Sequence, residues 1–178
     1  MSSSAATTAP DERARLSAIY REHFEFVWRS LRRLGAPEHA LEDATQDVFL
    51  VAARRIDEFE GRSSIRTWLF AIAMRVVRTQ RRSSWRHQRK VNALAAANPE
   101  GPEDPMAQRD AQQLLLSLLE QLDDDKRAVY VLADLAGMTA VEIADGLGVN
   151  VNTIYTRLRA ARQQLRAAAA KHLEGAAR

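Results

Sequence analysis

The chain contains no cysteine. Disulfides, thiol nucleophiles, zinc–cysteine sites and iron–sulfur clusters are therefore excluded within it. Helix breakers are scarce, with seven glycines and five prolines among 178 residues. No apolar run approaches the length of a membrane span. The opening stretch, Met1 to Pro10, lacks basic charge and the apolar centre of a signal peptide, and it reads as a frayed tail. There is no phosphate loop, no His-Glu-x-x-His and no Ser/His/Asp arrangement, so enzymatic chemistry is not expected. His23, His39, His87 and His172 are scattered without ligand spacing. They read as surface or helix-edge residues; neither a metal nor a cofactor is expected.

Hydrophobic residues make up 46% of the chain, enough for a real core. Leu, Ala, Arg and Gln dominate, and these favour helix. Leu16, Ile19, Tyr20, Phe24, Val27, Trp28, Leu31 and Leu34 recur every three or four residues, predicting a helix from Asp11 to about Arg33 that Gly35 closes. Pro37 opens a second helix, with Leu41, Ala44, Val48, Ala52 and Ile56 on one face and Asp43, Gln46, Asp47 and Leu50 on another. Ser64 caps a third, whose apolar stripe is Ile65, Trp68, Leu69, Ile72, Ala73 and Val76. Arg75, Arg78 and Arg82 form a basic row beside that stripe.

Net charge is only +3, but its distribution is uneven. From Gly61 to Lys90 there are nine Lys or Arg and no Asp or Glu, a field of one sign suited to a phosphate backbone. Between Ser83 and Gln108 the periodicity lapses around Pro99, Pro102 and Pro105, which reads as a linker. Helical pattern resumes near Arg109, continues past Asp123 and ends at Gly137. The expected organisation is all-α: a tail over 1–10, a helical domain over 11–82, a linker over 83–108 and a second domain over 109–178.

Thr139 to Arg162 reads as a helix-turn-helix. Thr139 and Glu142 have the spacing of a capping box, Gly148 suits a left-handed helix end, and Asn150 suits the next N-cap. The second helix would bury Ile154, Leu158, Ala161 and Leu165. Asn152, Thr153, Tyr155, Thr156, Arg157, Arg159 and Arg162 then occupy its other faces, and these side-chain types bond phosphates and base edges. An ordinary helical hairpin with a solvated polar face is the alternative for this segment.

Three stretches in order resemble the extracytoplasmic-function group of bacterial sigma factors. Asp43-Ala44-Thr45-Gln46-Asp47-Val48-Phe49-Leu50 is similar to the polymerase-docking helix of region 2. Phe59-Glu60-Gly61 through Thr67-Trp68-Leu69-Phe70-Ala71-Ile72-Ala73 is similar to the loop and helix that open and read the downstream (−10) element. Thr153-Ile154-Tyr155-Thr156-Arg157-Leu158-Arg159-Ala160-Ala161-Arg162 is similar to region 4, which reads the upstream (−35) element. The resemblance implies a subunit that binds core RNA polymerase and promoter DNA, works in the cytoplasm, and commonly answers to an anti-sigma factor.

By the same resemblance, Asp43, Gln46, Asp47, Phe49 and Leu50 would meet the polymerase. Phe59, Arg62, Ser63, Ser64, Arg66, Trp68, Arg75, Arg78 and Arg82 would face the −10 element, Trp68 as either core residue or wedge between bases. The polar residues of the last helix would face the −35 element. Arg75, Asp123, Asn152, Tyr155 and Ala160 depart from the family's usual residues, which leaves the upstream sequence preference open. The runner-up function is a stand-alone helix-turn-helix repressor or activator; a docking face beside an acid-free basic stretch is what such a protein does not need. Asp43 and Asp47 without a second acidic cluster make a poor magnesium site.

Overall fold

The structure is a computed structural model that describes residues 8–61, 63–84 and 105–176. All regular elements among these residues are helical. They are α1 (Thr8–Leu34), α2 (Leu41–Arg55), α3 (Ile65–Ser84), α4 (Pro105–Glu120), α5 (Asp124–Tyr130), α6 (Ala140–Leu147) and α7 (Val151–Ala176). A 3-10 turn at Glu38–Ala40 leads from Pro37 into α2, and a π-helical turn at Val131–Leu135 extends α5.

α1, α2 and α3 pack on one another as a three-helix bundle. The 3.6-residue period puts Leu41, Ala44, Val48, Ala52 and Ile56 on the buried side of α2, as the spacing predicts. In α3 the buried arc is wider than the sequence stripe. Leu69, Ile72 and Ala73 are buried, but so are Phe70 and Val77, whereas Val76 is only half-buried. The reason is that α3 is covered by α1 and α2 and also by α6. Gly35 ends α1 with φ 92°, and a Cβ there would sit 2.6 Å from a nitrogen of Arg127, so two separate demands require glycine.

The second group packs α5 and α6 on α7. Thr139 and Glu142 form the capping box, with each side chain accepting from the other residue's backbone N–H. Because it accepts from both the N–H and the hydroxyl of Thr139, the Glu142 carboxyl is held below its ordinary range. Gly148 closes α6 at φ 67°, and the Asn150 side chain caps α7 by accepting from Asn152 N–H at 2.8 Å. Asp123 caps α5 by accepting from Lys126 N–H at 2.9 Å, and that residue's ammonium lies 2.7 Å away. Those bonds hold the Asp123 carboxyl below its usual range.

Four expectations shift. The first helix begins at Thr8, inside the stretch read as a tail, and helix α4 begins at Pro105, inside the stretch read as linker. Ser84 extends α3 into the linker's other end. His23 is not at the surface; it is buried, at 6% exposure. Burial holds its imidazole below the ordinary value, reinforced by the Arg66 charge and opposed by Glu22.

The two helical groups share one continuous apolar core. Arg127 is 3% exposed and ties them together. Its guanidinium donates to Leu119 O at 2.7 Å, Leu34 O at 3.0 Å and Leu122 O at 3.3 Å. Leu34 and Leu119 lie at the C-terminal ends of α1 and α4 and Leu122 just beyond α4, where carbonyls lack the regular i+4 partner and carry partial negative charge; Leu119 O also accepts from Leu122 N–H at 3.1 Å. The planar fork of arginine serves three of them at once.

Candidate functional site

Helix α2 separates its buried stripe from an exposed face. Asp43, Gln46 and Asp47 are exposed and Leu50 is 54% exposed, while Phe49 is half-buried. Phe49 packs its ring 4.7 Å from that of Tyr20, which lies 5.4 Å from Phe24. A groove of ≈ 380 Å³ runs between α2 and α3 beside this face. Asp47, Leu50 and Val51 line one wall and Ile72, Arg75 and Val76 the other. The face thus offers carboxylates, an amide and apolar surface together, which suits a helix carrying both basic and apolar side chains.

At the start of α3, the Ser64 hydroxyl accepts from Thr67 N–H at 3.2 Å, which makes the expected cap. Phe59 and Trp68 are both half-buried, with ring centroids 5.2 Å apart. Trp68 therefore packs at the edge of the core against Phe59 and is neither fully enclosed nor free. Arg66 is exposed and lays its guanidinium 4.4 Å over the Phe26 ring. Ser63 is half-buried and Arg75 is exposed. Arg62 and the side chain of Arg82 lie outside the described residues.

Arg78 is not a free cation. It pairs with Asp125, and its Nε lies 4.0 Å from Asp124. Ile154, Leu158, Ala161 and Leu165 are buried along α7 as expected, and Asn152, Tyr155, Thr156, Arg159 and Arg162 are exposed, Tyr155 at 58%. Thr153 is half-buried. Two of the arginines on this helix are engaged within the chain. Arg157 donates to Asp125 at 2.6 Å, and Arg162 makes a two-bond pair with Asp134 at 2.6 and 3.0 Å. The second pair fixes the guanidinium on the side of α7 that faces the π-helical turn. Sequence reasoning missed Asp125 and Asp134. Nothing in their local pattern distinguishes them from ordinary solvated carboxylates.

Among the described residues no group of three or more His, Asp or Glu is placed to hold a metal, and no helix is long and apolar enough to cross a membrane. The arrangement is that of a two-part, all-helical binding protein with a helix-turn-helix in its second part.

Comparison with known proteins places that class. The Sigma-70 region 2 model matches residues 19–87, and the Sigma-70, region 4 model matches residues 112–165. The RNA polymerase sigma factor CnrH of Cupriavidus metallidurans is 31% identical over 173 residues, covering 92% of this chain and 91% of its own. The RNA polymerase sigma factor NccH of Alcaligenes xylosoxydans xylosoxydans is 27% identical over 157 residues, covering 84% and 83%. Among solved structures, CnrH in complex with the cytosolic domain of CnrY superimposes with a TM-score of 0.68 at 26% identity, covering 89% of this chain and 90% of that one. The chain belongs to the RNA polymerase sigma factors, in their extracytoplasmic-function group. Its function is accordingly that of a transcription initiation factor, and a stand-alone repressor is not favoured.

Proposed function

We propose that the chain divides this work between two surfaces. Residues 11–82 dock on core polymerase and open the −10 element, and residues 109–178 read the −35 element as duplex. The observation that carries this reading is the exposed face of α2. Asp43, Gln46, Asp47 and Leu50 lie exposed opposite a fully buried stripe, beside an apolar groove. The opposing surface is the coiled coil of the largest polymerase subunit, met by charge-assisted hydrogen bonds around an apolar centre at Phe49 and Leu50.

Opening DNA requires no reacting group in this scheme. Bases must be held outside the stack at lower cost than pairing, and stacking on aromatic side chains is worth roughly 1–3 kcal/mol per base. Phe59 and Trp68 form such a platform at the core edge, with Ser63, Ser64 and Arg66 near it in the chain; Arg62 is assigned to the same contact by its sequence position alone. Arg75, Arg78 and Arg82 extend a phosphate track along α3. On α7, Asn152, Thr153, Tyr155, Thr156, Arg157, Arg159 and Arg162 face the major groove, the N-terminal ones nearest the bases. The protein performs no covalent catalysis of its own and works in the cytoplasm with the polymerase.

The CnrH structure holds the cytosolic domain of CnrY. An anti-sigma factor that covers Phe49 and Leu50 would suit this chain as well. The test of the central reading is a pull-down with sigma-free core polymerase. Wild type is retained and Asp47→Arg is lost with its helical circular dichroism unchanged. Failure of wild type to bind would overturn the reading.

A further inference from the structure

We infer that Arg166 grips a backbone phosphate at the edge of the upstream element, and that this contact adds affinity without reading sequence; the inference rests on the placement of α7 in the major groove proposed above. Arg166 lies outside the segment that matches region 4, which ends at residue 165, while α7 runs on to Ala176.

Tyr155, Arg159, Arg162 and Arg166 follow one another at intervals of four, three and four residues, so the helical period sets all of them on one face of α7. With Leu158 and Gln163 they line one open cleft of ≈ 620 Å³. All four are exposed. Arg162 is tied to the π-helical turn, because Asp134 accepts two hydrogen bonds from its guanidinium. Among the described residues no carboxylate pairs with Arg159 or Arg166, so these two cations of the face keep their charge for a ligand.

Position along the axis decides what each can touch. At 1.5 Å of rise per residue, Arg159 lies about 6 Å from Tyr155 and Arg166 about 16 Å. The major groove is roughly 12 Å wide, and a recognition helix brings its N-terminal residues to the bases. Arg159 therefore stays within the groove. Arg166 has passed the groove's width and meets the strand that borders it. Phosphate oxygens line that strand, and a guanidinium matches them with paired N–H donors. The charge of the face also ends there. Ala170 and Leu173, next along it, are exposed and uncharged, Leu173 at 69%.

The experiment uses polymerase holoenzyme reconstituted with the full chain, and a promoter fragment that the wild-type holoenzyme protects in footprints. A second fragment carries the same sequence with its upstream element scrambled. Affinity for each is measured at about 50 and 200 mM salt, a fourfold rise that costs roughly 3.5-fold in affinity per phosphate contact. Arg166→Gln should weaken binding to both fragments by the same factor. As the salt is raised it should lose about 3.5-fold less affinity than wild type. Arg166→Lys keeps the charge and should restore the wild-type salt dependence, which a merely structural role for the side chain would not explain. An unchanged salt dependence in Arg166→Gln would overturn the phosphate contact. A loss confined to the intact upstream element would overturn it too, since Arg166 would then read a base. Footprints of Arg159→Gln and Tyr155→Ala separate the underlying placement: weakened upstream protection upholds α7 in the groove, and protection indifferent to both refutes it whatever Arg166 does.

Discussion

Replacing Arg127 by methionine removes the guanidinium and keeps most of the aliphatic stem. Three carbonyls, of Leu34, Leu119 and Leu122, lose the guanidinium, and Leu119 O keeps only its bond from Leu122 N–H. A hydrogen bond to a charged group contributes about 1.5–3 kcal/mol net, so three would sum to roughly 4–9 kcal/mol if they were independent. They are not, because one buried cation bears the desolvation cost for all three, and removing it recovers that cost. Carbonyls at helix ends can also reach water if the groups separate. The expected loss is therefore about 2–4 kcal/mol. For a chain of this size each kcal/mol shifts Tm by roughly 2–4 °C, so thermal unfolding followed by circular dichroism should show a drop of about 5–15 °C. Arg127→Lys should fall between, since a compact ammonium cannot span three acceptors. A shift of less than about 1 kcal/mol for Arg127→Met would refute the claim that this side chain staples the two helical groups.

Other outcomes follow from the same geometry. His23 is buried with its pKa below the ordinary value, so the unfolded chain binds the proton more readily and stability should fall as pH drops through about 6.5. Urea titrations between about pH 7.5 and pH 5 should show this slope for wild type and a flatter one for His23→Leu. Asp123 has the same sense in a lower pH window: its lowered pKa adds stability that is present above the ordinary carboxylate range and is lost as pH falls through the folded value. Gly148→Ala should cost about 1 kcal/mol in chemical denaturation, because a Cβ is strained at φ 67° even though there is room for it. Arg159→Ala should weaken binding to the upstream element by about 1–3 kcal/mol if it reads a base, measured against scrambled duplex; equal loss on both would assign it to phosphate.

The helices of the chain were legible because their evidence is local. Leu41, Ala44, Val48, Ala52 and Ile56 repeat with the helical period, and burial follows the repeat. The capping box of Thr139 and Glu142, the left-handed Gly148 and the Asn150 cap are each decided within four residues. The exposed faces of α2 and α7 that carry the candidate site residues were legible to the same degree, because they are complements of the buried stripes. The family motifs, too, are runs along the chain.

What the sequence by itself determined is therefore the order of the helices, the face each one buries and the family to which they belong. The tertiary structure alone decided that His23 lies inside, that Phe70 and Val77 join the core, and that Arg78, Arg157 and Arg162 hold carboxylates. It also decided that the two halves meet. The physical reason is range. Arg78 finds Asp125 across 47 positions, Thr67 finds Met138 across 71, and Arg127 finds Leu34 across 93. Periodicity reports which side of a helix avoids water, but only packing reports which helix comes to cover it.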